Sequence, residues 1–283
     1  MMFEPLFKIR YTLDMEGPTT NPNAYPYPPM DEERKQFLEY VLKMYAGQEE
    51  DERFAATGEI TVDLPGMEHF IVRKYVYSPE HVAVAMAWPE YISQKTRGKA
   101  FLDMGTGTGV AAVYVALHGE PSHVTATDIA PAAVENTKAN AEQYHLTEPF
   151  FTVLESNVFS AVPSNEKFDI MFWNFPWNAP DQDIEEILKE HNLPITPEKI
   201  MQLRAGLDKQ YEGVRRFIAE GKQHLNKDGY LLLGAGGPSR HDIIYGEAEK
   251  QSYAIEVAEE REMVVDKIGN AKLKVILYRL TPL

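Results

Sequence analysis

Ala100-Phe101-Leu102-Asp103-Met104-Gly105-Thr106-Gly107-Thr108-Gly109-Val110 is the stretch that decides the fold. An apolar run ends on an acidic residue and three alternating glycines, and Val110 to Leu117 then reads as a helix ending at Gly119. The pattern predicts a strand, a tight turn and a helix. Glycines in such a turn take backbone conformations that a Cβ forbids and let a ligand lie against the free N–H groups of the helix start. A dinucleotide turn has glycines at its first, third and sixth positions. Counting from Gly105 the sixth position is Val110, so the pattern here is G-x-G-x-G.

A second acidic residue narrows the ligand. His123 to Asp128 is a β-branched strand closing on a carboxylate, and Pro131 is suited to open the next helix. Asp128 follows the glycines by the roughly 20 residues expected of a carboxylate that accepts hydrogen bonds from both ribose hydroxyls. With Asp103 just ahead of the glycines, the stretch resembles the first motif of the S-adenosylmethionine-dependent methyltransferases that have a doubly wound α/β sheet. The resemblance implies S-adenosyl-L-methionine as cofactor, held by Asp103, Gly105, Thr106, Gly107, Gly109, Asp128 and Ile129.

Phe150 to Phe159 reads as a third strand with Asn157 at its end, on the side of the sheet where doubly wound folds bind ligands. An amide there can hydrogen-bond the edge of adenine, which adds Asn157 and Val158 to the expected cofactor contacts. The fourth strand, Phe168 to Trp173, stops at Asn174-Phe175-Pro176-Trp177. Here the chain resembles amino-methyltransferases whose fourth strand ends in Asn or Asp, Pro, Pro and an aromatic, in particular the branch that methylates protein glutamine amides. Ser78-Pro79-Glu80, Glu155 to Ser160, Lys167 to Ile170, and Gly206-Leu207-Asp208 with Tyr211 also resemble that branch, over roughly residues 58 to 283. Two positions depart from it: Phe175 stands where the family has proline, and Asn157 where an Asp is usual. The first alters the pocket wall, and the second exchanges an acceptor-only group for one that also donates.

The tetrapeptide suits methylation of nitrogen. In-line displacement at a sulfonium methyl demands mainly that a lone pair be aimed at the carbon. The Asn174 side-chain oxygen and the Phe175 main-chain oxygen can each accept an N–H of a planar amide, amino or guanidino group. Trp177 is expected to stack on the acceptor and Pro176 to stiffen the turn. Asn174, Phe175, Pro176 and Trp177 are thus the candidate catalytic residues, Asn174 also touching cofactor. Tyr25, Tyr27, Glu80 and Trp177 are candidate substrate contacts.

Composition sets the remaining bounds. The 283 residues carry a formal charge of -15 and no cysteine. Disulfides and thiolate metal sites are excluded, and the eight histidines show no paired ligand spacing, so no metal site is expected. Phosphate neutralisation needs a basic surface, so the acidity argues against a polynucleotide substrate. Neither a signal or transit peptide nor a membrane-spanning run is present in the sequence, which implies a cytoplasmic protein. A Ser-centred hydrolase elbow is absent, and hydride transfer is weakened by the glycine spacing.

The proline-dense Asn21 to Pro29 cannot be a helix or central strand, and is read as a surface wrap or a lid across the pocket. A helix from Glu32 to about Tyr45 and a hairpin turning at Pro65-Gly66 follow. Another helix is expected from Pro79 through Met86 and Trp88. Residues 1–77 thus form an N-terminal extension, and 78–283 a methyltransferase domain built on a mostly parallel seven-stranded sheet. Acidic helices fill the region after Trp177, and Tyr230 to Gly234, Ala254 to Ala258 and Leu273 to Leu280 are the last strands. The acceptor is a small molecule or a protein side chain, the short N-terminal part favouring the former. Two other classes stay open: a nucleic-acid base methyltransferase, and a cofactor-binding protein without catalysis.

Overall fold

The computed structural model describes residues 35, 38, 39, 41–43, 51–79, 86, 88–236, 238–265 and 271–283. Tyr25, Tyr27 and Glu80, the proline-dense segment and most of the helix expected at 79–88 lie outside these residues.

The sheet has seven strands in the order β5-β4-β3-β6-β7-β9-β8. β3 (Ala100–Met104), β4 (His123–Asp128), β5 (Phe151–Glu155), β6 (Phe168–Trp173) and β7 (Leu225–Gly236) run parallel. β9 (Ala271–Pro282) lies antiparallel to β7, and β8 (Tyr253–Val265) antiparallel to β9. Short connections place helices on the faces: α1 (Pro89–Ser93), α2 (Val110–His118), α3 (Pro131–Gln143), α4 (Ile184–Glu190), α5 (Pro197–Arg204), α6 (Glu212–Gly221) and α7 (His241–Lys250). β3 is buried at every position, which is why it reads as an unbroken apolar run. Strand order reverses between β4-β3 and β6, and the carboxyl ends of β3, β4, β5 and β6 meet there. Doubly wound sheets bind ligands in that crevice.

Several boundaries differ from those read in the sequence. β7 begins at Leu225, five residues before the apolar run, because the chain pairs with Phe168 across an irregularity in the register. The last two strands are longer than their apolar centres and pair with each other from Tyr253–Pro282 to Val265–Ala271.

The N-terminal hairpin, β1 (Glu59–Leu64) and β2 (Met67–Arg73), is a separate two-stranded sheet, yet Val62, Met67, Phe70 and Val72 join the same hydrophobic core as β3 and β6. Two fully buried asparagines on α3 satisfy its outer edge: Asn140 Oδ1 accepts from Ile71 N (2.7 Å), Asn136 Oδ1 from Arg73 N (2.7 Å), and both side-chain amides donate to Ile71 O (2.8 Å). A buried strand edge must find partners, and here side chains supply them. A second, smaller cluster packs Val41 and Leu42 against Ile187, Leu188, Leu203 and Leu207 of the region after β6.

Candidate functional site

A cavity of about 470 Å³ opens at the crevice. Its floor is the glycine turn. Gly105, Gly107 and Gly109 have φ of 60°, 59° and 89°, the left-handed region that glycine enters without a steric penalty. A Cβ at Gly105 would stand 2.4 Å from Trp173 Nε1, so glycine is required there for contact with β6 as well as for the turn. Around Gly107 a Cβ would meet nothing within 4 Å, leaving the backbone open on the cavity side.

Two carboxylates hold that turn. Asp103 Oδ2 accepts from Thr106 Oγ1 (2.7 Å) and Ala112 N (3.1 Å), joining the turn to the first turn of α2. Burial pushes the Asp103 carboxyl up to about 7 against these stabilising hydrogen bonds, with the neighbouring Asp128 adding to the rise. Asp128 Oδ2 accepts from Gly107 N (2.9 Å) and its Oδ1 from Ala130 N (2.9 Å); burial raises its pKa as well. Each oxygen of Asp128 accepts one of these bonds and keeps a second lone pair, enough to take ribose hydroxyls. From α3, Thr137 Oγ1 donates to Gly107 O (3.0 Å) and Asn140 Nδ2 to Thr108 O (2.8 Å). These buried polar residues on a helix were the missed signal: an otherwise unexplained Asn-Thr-x-x-Asn at 136–140 marks a helix face that serves backbone rather than solvent.

At the end of β5, Val158 has φ of 56°, a strained value for a β-branched residue. Ser156 Oγ holds it there, donating to Val158 O (2.7 Å) while accepting from Ala161 N (3.0 Å). Asn157 is exposed at the mouth, where its Oδ1 accepts from Arg216 Nη1 (3.0 Å). Asp103, Gly105, Thr106, Gly107, Asp128, Ile129, Asn157 and Val158 all line the cavity; Gly109 instead caps α2 against Thr137.

The opposite wall is Asn174 to Trp177 at the end of β6. Phe175 is buried edge-on against Tyr211, ring centres 5.3 Å apart. Trp177 donates its indole N–H to Gly234 O (3.0 Å), and its ring presses on Gly236, where a Cβ would lie 2.3 Å from the indole. Trp177 therefore lines the cavity while both its indole N–H and its six-membered ring bear on β7. Tyr211, which sequence reading named only within the resemblance, donates to Trp177 O (2.6 Å) and accepts from Arg240 N (3.1 Å). Asp208 caps the start of α6 by accepting from Gly213 N and Val214 N (both 3.1 Å), and its own N–H donates to Asn178 O (2.9 Å). The loop after β6 is thus fastened from beyond by residues some thirty positions on.

Buried Asn174 Oδ1 and Trp88 Nε1 both lie against Gly234, where a Cβ would stand 2.9 Å and 2.7 Å from them, and neither has a hydrogen-bond partner among the described residues. Ser78 Oγ is a third such atom. Native interiors rarely leave polar atoms unpaired, so each one that remains needs an explanation, and for Asn174 and Trp88, which line the cavity, a ligand is one. The open backbone at Gly107, the lone pairs of Asp128 and the orphaned polar atoms across the cavity fit a nucleoside cofactor on one side and a hydrogen-bonding acceptor on the other.

Residues 72–191 match the family model described as methyltransferase small domain. Over 136 residues it is 34% identical to the release factor glutamine methyltransferase of Gloeobacter violaceus, covering 48% of this chain and 45% of the relative. The ribosomal protein uL3 glutamine methyltransferase of Bordetella pertussis is 29% identical over 140 residues, 50% of this chain and 44% of that one. The aligned part is less than half of either relative's length. Among solved structures, Trm5b of Pyrococcus abyssi superposes with a TM-score of 0.50 at 15% identity, over 80% of this chain and 56% of that one. The likeness of aTrm5 in complex with tRNALeu is similar, 0.53 at 16% identity over 81% and 54%. At such identities the superposition speaks for the methyltransferase fold alone. No helix among the described residues is long and apolar enough to cross a membrane, and no group of three or more metal-ligating side chains occurs among them.

Proposed function

We propose that the chain is an S-adenosyl-L-methionine-dependent methyltransferase acting on a planar amide nitrogen, with a protein glutamine side chain as the favoured acceptor. One observation carries the reading: the glycine turn of β3 and the Asn174 loop of β6 open on the same cavity. Asp128, Asn157, Val158 and the backbone of Gly105 to Gly107 are suited to hold the nucleoside part, and Asn174 to receive the acceptor. When bound, S-adenosyl-L-methionine supplies a methyl group already activated by a sulfonium. The side chains need form no covalent bond, and their work is orientation and exclusion of water.

Asn174 is the orienting residue. Its oxygen is turned toward Gly234 and is unpaired, and the terminal torsion of an Asn side chain is soft, so it can swing to accept an acceptor N–H at small cost. Phe175 O is the second acceptor at this turn. Held by two such bonds, an amide nitrogen presents its face, and no strong base has to be in place beforehand. Trp177, fixed by Gly234 O, and Phe175, fixed by Tyr211, close the cavity wall. Similarity to two glutamine methyltransferases favours a glutamine amide over a small-molecule acceptor, and the charge of -15 weighs against nucleic acid.

The test is methyl transfer from labelled S-adenosyl-L-methionine to three peptides that differ only in a central Gln, Asn or Arg. Label on the Gln amide is expected. Label on Arg, or on free small amides in preference to all three peptides, overturns the acceptor assignment.

A further inference from the structure

Arg216 stands on α6, far from Asn157 in sequence, yet its guanidinium closes on that residue. Nη1 is 3.0 Å from Asn157 Oδ1 and Nη2 is 3.4 Å from Asn157 O. Glu220, one helical turn on, holds the other edge: Nε donates to Oε1 at 2.8 Å and Nη2 to Oε2 at 3.4 Å. An Arg–Glu pair four residues apart contributes only a few tenths of a kcal/mol to a helix (~0.2–0.5). Helix support alone gives no reason for the guanidinium to reach across to the end of β5. Arg216 and Asn157 both line the cavity, as do Asp128, Ile129 and Val158.

The chemistry of the contact settles how Asn157 is turned. A guanidinium has five donors and no acceptor, so the amide of Asn157 must give it the carbonyl oxygen. Its NH2 then faces away from Arg216 and is the group left to present to a ligand. An aspartate at this position could offer only acceptors, and would pair with the 6-amino group of adenine. A clamped asparagine offers donors, which match a ring nitrogen instead.

We propose that Arg216 is a positioning residue that fixes Asn157 as a hydrogen-bond donor to N1 of the adenine ring. The chain thereby reads adenine through its ring nitrogen at the position where an acidic residue would read the amino group. Glu220 keeps the guanidinium aligned for this. The inference rests on the cofactor reading given above, and goes beyond it in assigning the polarity of the contact and the residue that sets it.

Calorimetric titration separates the two. Wild type is titrated with S-adenosylhomocysteine and with its 1-deaza-adenine analogue, which lacks the N1 acceptor. A loss of about 5- to 10-fold in affinity for the analogue is expected, the worth of one hydrogen bond. Arg216→Met frees the amide to rotate, so the ratio between the two nucleosides falls toward one, whereas Arg216→Lys keeps a donor-only cation and keeps the ratio. Asn157→Asp removes the donor and also abolishes the ratio. Equal binding of both nucleosides by wild type, or a ratio unchanged in Arg216→Met, overturns the assignment while leaving the cofactor in place. Failure of wild type to bind S-adenosylhomocysteine at all overturns the cofactor reading and this one with it.

Discussion

The two ends of the cavity are built to different standards. At the glycine turn nearly every polar group is answered within the chain: both oxygens of Asp128 and one of Asp103 accept loop or side-chain donors, and α3 props the turn through Thr137 and Asn140. At the Asn174 end, Asn174 Oδ1 and Trp88 Nε1 are buried and unpaired among the described residues. One end is preorganised, and needs no rearrangement to receive a nucleoside. The other keeps buried polar atoms without partners among the described residues.

That contrast can be broken most decisively at Gly105. Gly105→Ala puts a methyl 2.4 Å from Trp173 Nε1 in a left-handed backbone. Strain and overpacking together predict a loss of about 2–5 kcal/mol of stability in urea denaturation and the disappearance of cofactor binding in calorimetry. Retained affinity in a stably folded variant would show the turn to be adaptable instead of preformed. At the other end, Asn174→Ala is expected to lower kcat by about 10²- to 10³-fold, as loss of one positioned hydrogen-bonding group does. Cofactor affinity should change less than about threefold, since the nucleoside is held elsewhere. If affinity collapses along with turnover, the two ends are one unit and the comparison fails.

A smaller effect reads the cost of preorganisation itself. The Asp103 carboxyl sits near 7 in the fold against an ordinary 3.8, so between about pH 4 and pH 7 the folded chain retains a proton that the unfolded chain has released. Its contribution to stability is full below the lower value and is lost as pH rises through the higher one. Asp128 is pushed in the same direction by burial. Asp103→Asn should therefore flatten the fall, and melting temperatures measured from pH 5 to pH 8 should show wild type losing ground to the variant. Parallel curves would mean that Asp103 is ionised throughout. The smallest expected effect is Tyr211→Phe, which removes a hydroxyl bridging Trp177 O and Arg240 N; about 1–2 kcal/mol of stability should go, with KM rising more than kcat falls.

The preorganised end was the legible one. Its residues sit at the ends of consecutive strands, so Gly105, Asp128 and Asn157 announce themselves through spacing and apolar runs. What could not be read is what answers them from a distance. Asn136 and Asn140 fit an ordinary polar helix face until the edge of β2 is laid beside them. Arg216 belongs to a helix whose sequence says only amphipathic, and its reach to Asn157 is a contact across 59 positions of sequence. Tyr211 sits with φ of 55° beside Gln210 at 49°, two left-handed residues in a row without a glycine to signal them. The length of β7 was hidden because Asn226-Lys227-Asp228-Gly229 looks like a turn and is in fact paired or bulged strand.

The last strand in sequence is not the last in space. β9 lies between β7 and β8, and β7 has no other neighbour on that side. During synthesis the half-sheet from β5 to β7 can form while residues 271–282 are still within the ribosome, but it does so with the flank of β7 uncovered. An open strand edge is a template for pairing with another chain. Nascent copies held at that stage are therefore the ones most exposed to aggregation, and pairing of the twelve-residue β9 with β7 closes the window.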